Sequence, residues 1–155
     1  MEMVAALLRR EGRVKMKTKV EVRYSTLFWL FLFGSVEGFV LEGLWNILRL
    51  GYWESHTATV WGPFCIIYGI GAVVIYLLSF LLQERGSVAQ FLLFTLAGGA
   101  VEYFGSLFQE LALGSVSWHY DHHALNIGGR VSLQMALLWG VLGILFVKDL
   151  LIKVK

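Results

Sequence analysis

The chain has 155 residues, 57% of them hydrophobic and only 15% charged, against about 25% charged in a typical soluble domain. One proline and one cysteine, Cys65, exclude a disulfide scaffold and a Cys-rich metal module, and the absence of a Gly-x-x-x-x-Gly-Lys-Ser/Thr run excludes ATP binding by a P-loop on this chain. With a net charge of only +2, nothing points to nucleic acid, and the composition is that of one integral membrane domain.

Residues 1–25 hold Arg9, Arg10, Arg13, Lys15, Lys17, Lys19 and Arg23. The short VAALL run precedes these charges instead of following them, so the segment reads as a basic cytoplasmic tail and not as a secretory signal. Crossing about 30 Å of hydrocarbon takes roughly 20 helical residues, and residues 26–155 offer four such stretches. They run over about 27–48, 64–82, 88–113 and 131–151. Each is a continuous apolar block without strict alternation, which favours helices over a barrel. The expectation is an all-α, integral membrane four-helix bundle. No tandem repeat with a clear period is visible.

With four spans, the basic tail, Arg85, Lys148, Lys153 and Lys155 share one side, and Arg49 and Arg130 share the other. The positive-inside bias then places both termini in the cytoplasm of a multi-pass protein of the cell membrane. Segment 115–130 contains no apolar run long enough to cross.

Carboxylates interrupt two spans: Glu37 and Glu42 in the first, Glu102 and Glu110 in the third. Ionised acids at this depth cost on the order of 2.5–3.5 kcal/mol on insertion scales, so by default they mark a functional site. At 100° per residue, Glu37 and Glu42 lie about 140° apart, and Glu102 and Glu110 about 80° apart. Glu110 reads as an interfacial carboxylate. Small residues, notably Gly34, Gly38, Gly98, Gly99, Gly105, Gly140 and Gly143, read as close packing contacts.

The outer connections carry the remaining polar chemistry. In the first, Trp53 and Trp61 join Trp45 as an aromatic belt, and Pro63 fits the first turn of the second helix. Tyr68 lies one turn inside, where its hydroxyl needs a partner. In the second, Trp118 to Arg130 brings His119, His122 and His123 close to Asp121, but without a thiolate; no metal and no cofactor is assigned. Gly128 and Gly129 free the backbone to place Arg130 at the mouth of the fourth span, and its expected partners are Glu42 and Glu102.

These motifs resemble the bacterial membrane family labelled "putative ABC-transporter type IV", which has small vertebrate transmembrane relatives. The likeness covers roughly Phe28 to Val147. It rests on Gly38-Phe39-Val40-Leu41-Glu42, on Gly62-Pro63 through Tyr68-Gly69-Ile70-Gly71, and on Glu102-Tyr103 with Glu110. Trp118, Tyr120, Asn126, Gly129-Arg130 and Trp139-Gly140 complete it. Phe39, Ile66, His119 and Ala124-Leu125 depart from the pattern, so the histidine cluster is not part of it. The resemblance implies a helical membrane domain with a ligand-binding group of Glu42, Tyr68, Glu102, Trp118, Tyr120, Asn126 and Arg130. It implies structural roles for Gly62, Pro63, Gly69, Gly71, Gly129, Trp139 and Gly140.

Three functions fit. The first is a membrane transport or substrate-capture subunit whose outward-facing polar site holds a small polar or cationic solute or a lipid headgroup, with Arg130 offering instead a place for an anionic group. It would be embedded in the lipid bilayer and would work as a homodimer or with separate energising ATPase subunits. The second is an intramembrane enzyme on a lipid or lipid-linked substrate, with a Glu pair as acid and base; no clearly placed nucleophile supports it. The third is a structural partner of a larger membrane complex.

Overall fold

The computed structural model describes residues 22–55 and 62–153, with side chains through Lys148. Most of the basic tail, His56, Trp61 and Lys155 lie outside the described residues. Four helices form: α1 over Tyr24–Leu50, α2 over Ile66–Leu82, α3 over Ser87–Leu113 and α4 over Leu133–Lys153. Their positions follow the four expected stretches closely, because long apolar runs propagate helix, in α3 even through the Gly98-Gly99 pair. One addition is a two-stranded antiparallel ribbon, with β1 at Asn126–Ile127 and β2 at Val131–Ser132.

The helices differ in reach. At 1.5 Å per residue the 27-residue α1 and α3 are each about 40 Å long, enough to cross a bilayer, and both are apolar enough to do so. The 17-residue α2 covers only about 25 Å. The apolar part of α4, Leu133–Lys148, is similarly short. Both short helices start part-way along their long neighbours. The Cys65 amide, at the amino end of α2, donates to the Ser35 carbonyl at 2.9 Å, which lies about 22 Å below the end of α1. Val131 and Ala136 stand against Gly99 of α3, more than a dozen residues before that helix ends.

The described parts of the connectors, 51–55 and 62–65 in the first and 114–132 in the second, therefore fold back along the long helices. Segment 115–130, which contains no run able to cross, is re-entrant in this sense. The apolar pattern could not reveal it because a folded-back connector is held by its own polar contacts and by packing, not by hydropathy. Pro63 is likewise not in the first turn of α2. It is the centre of a tight turn in which the Phe64 amide donates to the Gly62 carbonyl at 2.8 Å.

The two halves share one plan, although their sequences show no clear period. Each long helix ends on a left-handed glycine, Gly51 (φ 82°) or Gly114 (φ 67°), whose amide caps the last turn. Each then pairs with the short helix that follows it. Tyr68 of α2 lies on Gly38 of α1, and Trp139 of α4 lies on Gly98 of α3; a Cβ at either glycine would collide with the ring. In both long helices a glutamate, Glu42 or Glu102, follows four residues later on the same face. The repeat is hidden because its connectors differ in length and only small, aromatic and acidic positions keep it. Gly69 against Ser35, Gly71 against Trp139 and Gly140 against Thr95 are further close approaches.

A small apolar core of Ile75, Leu82, Phe94, Trp139 and Val147 is buried together with an unusual number of polar side chains. Ser35, Asn46, Ser79, Gln90, Glu102, Ser106 and Ser132 are buried. Phe28, Trp29, Phe33, Leu81, Val88, Leu96, Phe104, Phe108 and Leu111 are exposed. An apolar exterior of this extent needs a nonaqueous surrounding or a partner.

Candidate functional site

The polar interior gathers where the two halves meet. On the first half, Glu42 receives hydrogen bonds from Ser55 Oγ at 2.7 Å and from the Cys65 thiol at 3.5 Å. Ser55 reaches it because the connector descends along α1. Asn46 Nδ2 donates to the Glu54 carbonyl at 2.9 Å, and Trp53 lies on Gly43 and against Phe39 with ring centroids 5.4 Å apart. Trp53 is thus a packing element that pins the connector, in addition to any interfacial role. Glu37 points the other way and is exposed, as the angular separation requires.

On the second half, Glu102 is 5% exposed. Its Oε1 accepts from the Trp139 indole Nε1 at 2.9 Å, and its Oε2 is buried with no hydrogen-bond partner. Tyr68 stands between the halves, near enough to both Glu42 and Glu102 to feel their charges. Its ring is 6.1 Å from that of Trp139. Tyr120 enters from the folded-back connector. Burial, and then the nearby Glu102 and Glu42 carboxyl groups, hold its hydroxyl protonated far above the ordinary tyrosine range.

Of the seven expected ligand-binding residues, the fold brings four together: Glu42, Tyr68, Glu102 and Tyr120. The other three shape the connector. Arg130 does not neutralise Glu42 or Glu102. Its guanidinium is paired with Glu110 and donates to Ser106 Oγ at 3.2 Å. The reason is local: the Gly128–Gly129 turn, with φ of 56° and 66°, directs Arg130 along α3 toward positions 106 and 110, one turn apart on the same face. Trp118 Nε1 donates to the Arg130 carbonyl at 2.9 Å. Asn126 braces the same turn: its Nδ2 donates to the His123 carbonyl, and its Oδ1 accepts from the Gly129 amide, both at 2.9 Å. Gly129 closes against Asp121 with no room for a Cβ.

Ser55 and Cys65, which bond Glu42, and Trp139, which bonds Glu102, were not among the expected ligand-binding residues. The signal for Trp139 was present in the repeated order Gly-x-x-x-Glu followed by an aromatic-Gly pair: Gly38, Glu42 and Tyr68-Gly69, then Gly98, Glu102 and Trp139-Gly140. His119 lies 3.6 Å from Asp121, and the His122 and His123 rings meet edge-on with centroids 4.5 Å apart. Among the described residues, no group of three or more His, Cys, Asp or Glu side chains is placed to hold a metal.

These features define a small helical protein with an apolar exterior and an acidic, aromatic cluster between two similar halves. Residues 29–155 match the family described as "Putative ABC-transporter type IV", and the chain belongs to that family. No curated protein and no solved structure matches it significantly. The family and the two long apolar helices suggest a place in the membrane and a transport-related role.

Proposed function

We propose that the protein is a membrane transport or substrate-capture subunit whose site is the cluster of Glu42, Tyr68, Glu102 and Tyr120, open toward the outer face between the two connectors. All four helices lie in the bilayer with both termini cytoplasmic. The folded-back connectors occupy the outer half, where irregular backbone is tolerated if it is packed against protein or lines a wet cavity. Sites between two similar halves near mid-depth are a recurring arrangement in membrane transporters. Arg130, Trp118 and Asn126 serve this site by fixing the connector that carries Tyr120.

The observation that carries the reading is the unpaired Glu102 Oε2. A buried polar oxygen left without a partner costs about 1–3 kcal/mol. A purely structural carboxylate between helices would have both oxygens bonded. Helix packing alone would be served as well by an apolar side chain, so the residue is explained by something it binds. The enzyme alternative has less support, because His119 and His122 engage Asp121 and His123. Energy for transport comes from partner subunits, as this chain has no P-loop.

The test is a thermal-stability screen of the full chain in nanodiscs against small anionic, neutral and cationic solutes. At least one class raises the unfolding temperature in the wild type and does so less in Glu102→Gln. A screen without any such dependence on Glu102 overturns the reading.

A further inference from the structure

We infer that the outer face of α1, centred on Glu37, is an interface with a second copy of this chain, in which the two Glu37 carboxyl groups hydrogen-bond to each other. The inference rests on the membrane placement in the reading above and not on its acid cluster.

Glu37 is the middle residue of the 27 in α1, so about 20 Å of helix lie on either side of it. The helix exceeds the roughly 30 Å of hydrocarbon by about 10 Å. Even a helix shifted fully to one side leaves Glu37 about 10 Å inside the apolar layer, too deep for its side chain to reach headgroup water. The residue is exposed, and among the described residues nothing donates to or pairs with its carboxyl. It stands opposite the packed side of an edge helix: α1 packs mainly on α2, and the buried Ser35 and Asn46 lie about 160° and 180° around from Glu37. In the second half Ala97 holds the equivalent place, one residue before the glycine that receives the aromatic ring. The shared plan of a half therefore does not require an acid there.

Ionised or protonated, a carboxyl at this depth needs a polar partner, and hydrocarbon offers none. The surroundings of Glu37 select a second copy as its source. Leu30, Phe33, Leu41, Leu44 and Leu48 lie within about 40° of Glu37 around the helix. They recur at three- and four-residue spacing on both sides of it, the pattern of a left-handed helix pair. Phe33, Leu41, Leu44 and Leu48 are exposed. A two-fold axis at Glu37 sets this stripe against itself, so that each Glu37 meets the other. Such a pair brings no cation to that depth, because Arg23 and Arg49 stand at the two ends of α1. It brings a second carboxyl instead. A protonated carboxyl is donor and acceptor at once, so the two side chains satisfy each other with at least one proton held between them.

The full chain, fluorescently labelled at its C-terminus, is reconstituted in liposomes over a range of protein densities, and its stoichiometry is read by single-molecule photobleaching. The wild type should pass from monomer to dimer as density rises. Glu37→Leu should weaken the dimer roughly 10-fold or more, as expected for lost interhelical hydrogen bonds. Glu37→Gln, whose amide is also donor and acceptor, should keep it within severalfold. Leu44→Ala, within the stripe, should weaken it severalfold, whereas Leu96→Ala on the exposed face of α3 should leave it unchanged. Alkaline extraction of the same liposomes checks the membrane placement separately. A chain that resists extraction yet stays monomeric at every density overturns the inference and leaves the membrane reading standing. So does a dimer that Glu37→Leu leaves intact, or one that Glu37→Gln weakens as much as Glu37→Leu. A chain released by alkali overturns both.

Discussion

Replacing Arg130 by alanine distinguishes the connector role from a charge-neutralising role in the acid cluster. The Arg130 side chain is 20% exposed and that of Glu110 is 51% exposed, so solvent screening limits the ion pair to about 0.5–1 kcal/mol. The bond to Ser106 Oγ at 3.2 Å adds about 0.5–1 kcal/mol. Arg130→Ala should therefore cost about 1–2 kcal/mol. Had the guanidinium neutralised the buried Glu102, its removal would have stranded a charge and cost about 3–5 kcal/mol. Reversible unfolding in mixed micelles, followed by tryptophan fluorescence, reads the difference. In double-mutant cycles Arg130→Ala should couple to Glu110→Gln by about 0.5–1 kcal/mol and be additive with Glu102→Gln. A loss of 3 kcal/mol or more, or coupling to Glu102 instead of Glu110, would refute this reasoning.

Trp139→Phe removes the only donor that reaches Glu102 among the described residues. It should lower stability by about 1–3 kcal/mol beyond the small change in packing, and a second change, Glu102→Leu, should recover part of that loss in the same unfolding assay. For the topology, His122→Cys in a Cys65→Ala background should react with a membrane-impermeant maleimide added to intact cells, because His122 is exposed on the second connector; labelling seen only in inside-out vesicles would reverse the orientation.

The helices were legible in the sequence because each is a long apolar block whose period and length need no tertiary information. Arg130, by contrast, was legible as a cation at the mouth of the fourth span, but the partners expected for it, Glu42 and Glu102, are not the ones it takes. Only the path of the Gly128–Gly129 turn along α3 selects Glu110 and Ser106. The angular argument separated Glu42 from Glu37, since 140° on one helix cannot serve one face, yet it could not say which of them turns inward. Packing of Tyr68 on Gly38 decided that, by turning the face that includes Glu42 toward α2.

The sequence by itself determined an apolar, four-helix chain with acids in two spans, because hydropathy and helical period are local properties. The depth at which α2 and α4 begin, and the return of both connectors along α1 and α3, are outcomes of tertiary packing. So is the meeting of two acids from different halves. They depend on contacts between positions far apart in the chain, such as the Cys65 amide with the Ser35 carbonyl and the Trp139 indole with Glu102. Local propensity carries no record of such pairings. Only the assembled helices show that Glu102 keeps one oxygen unbonded in the interior.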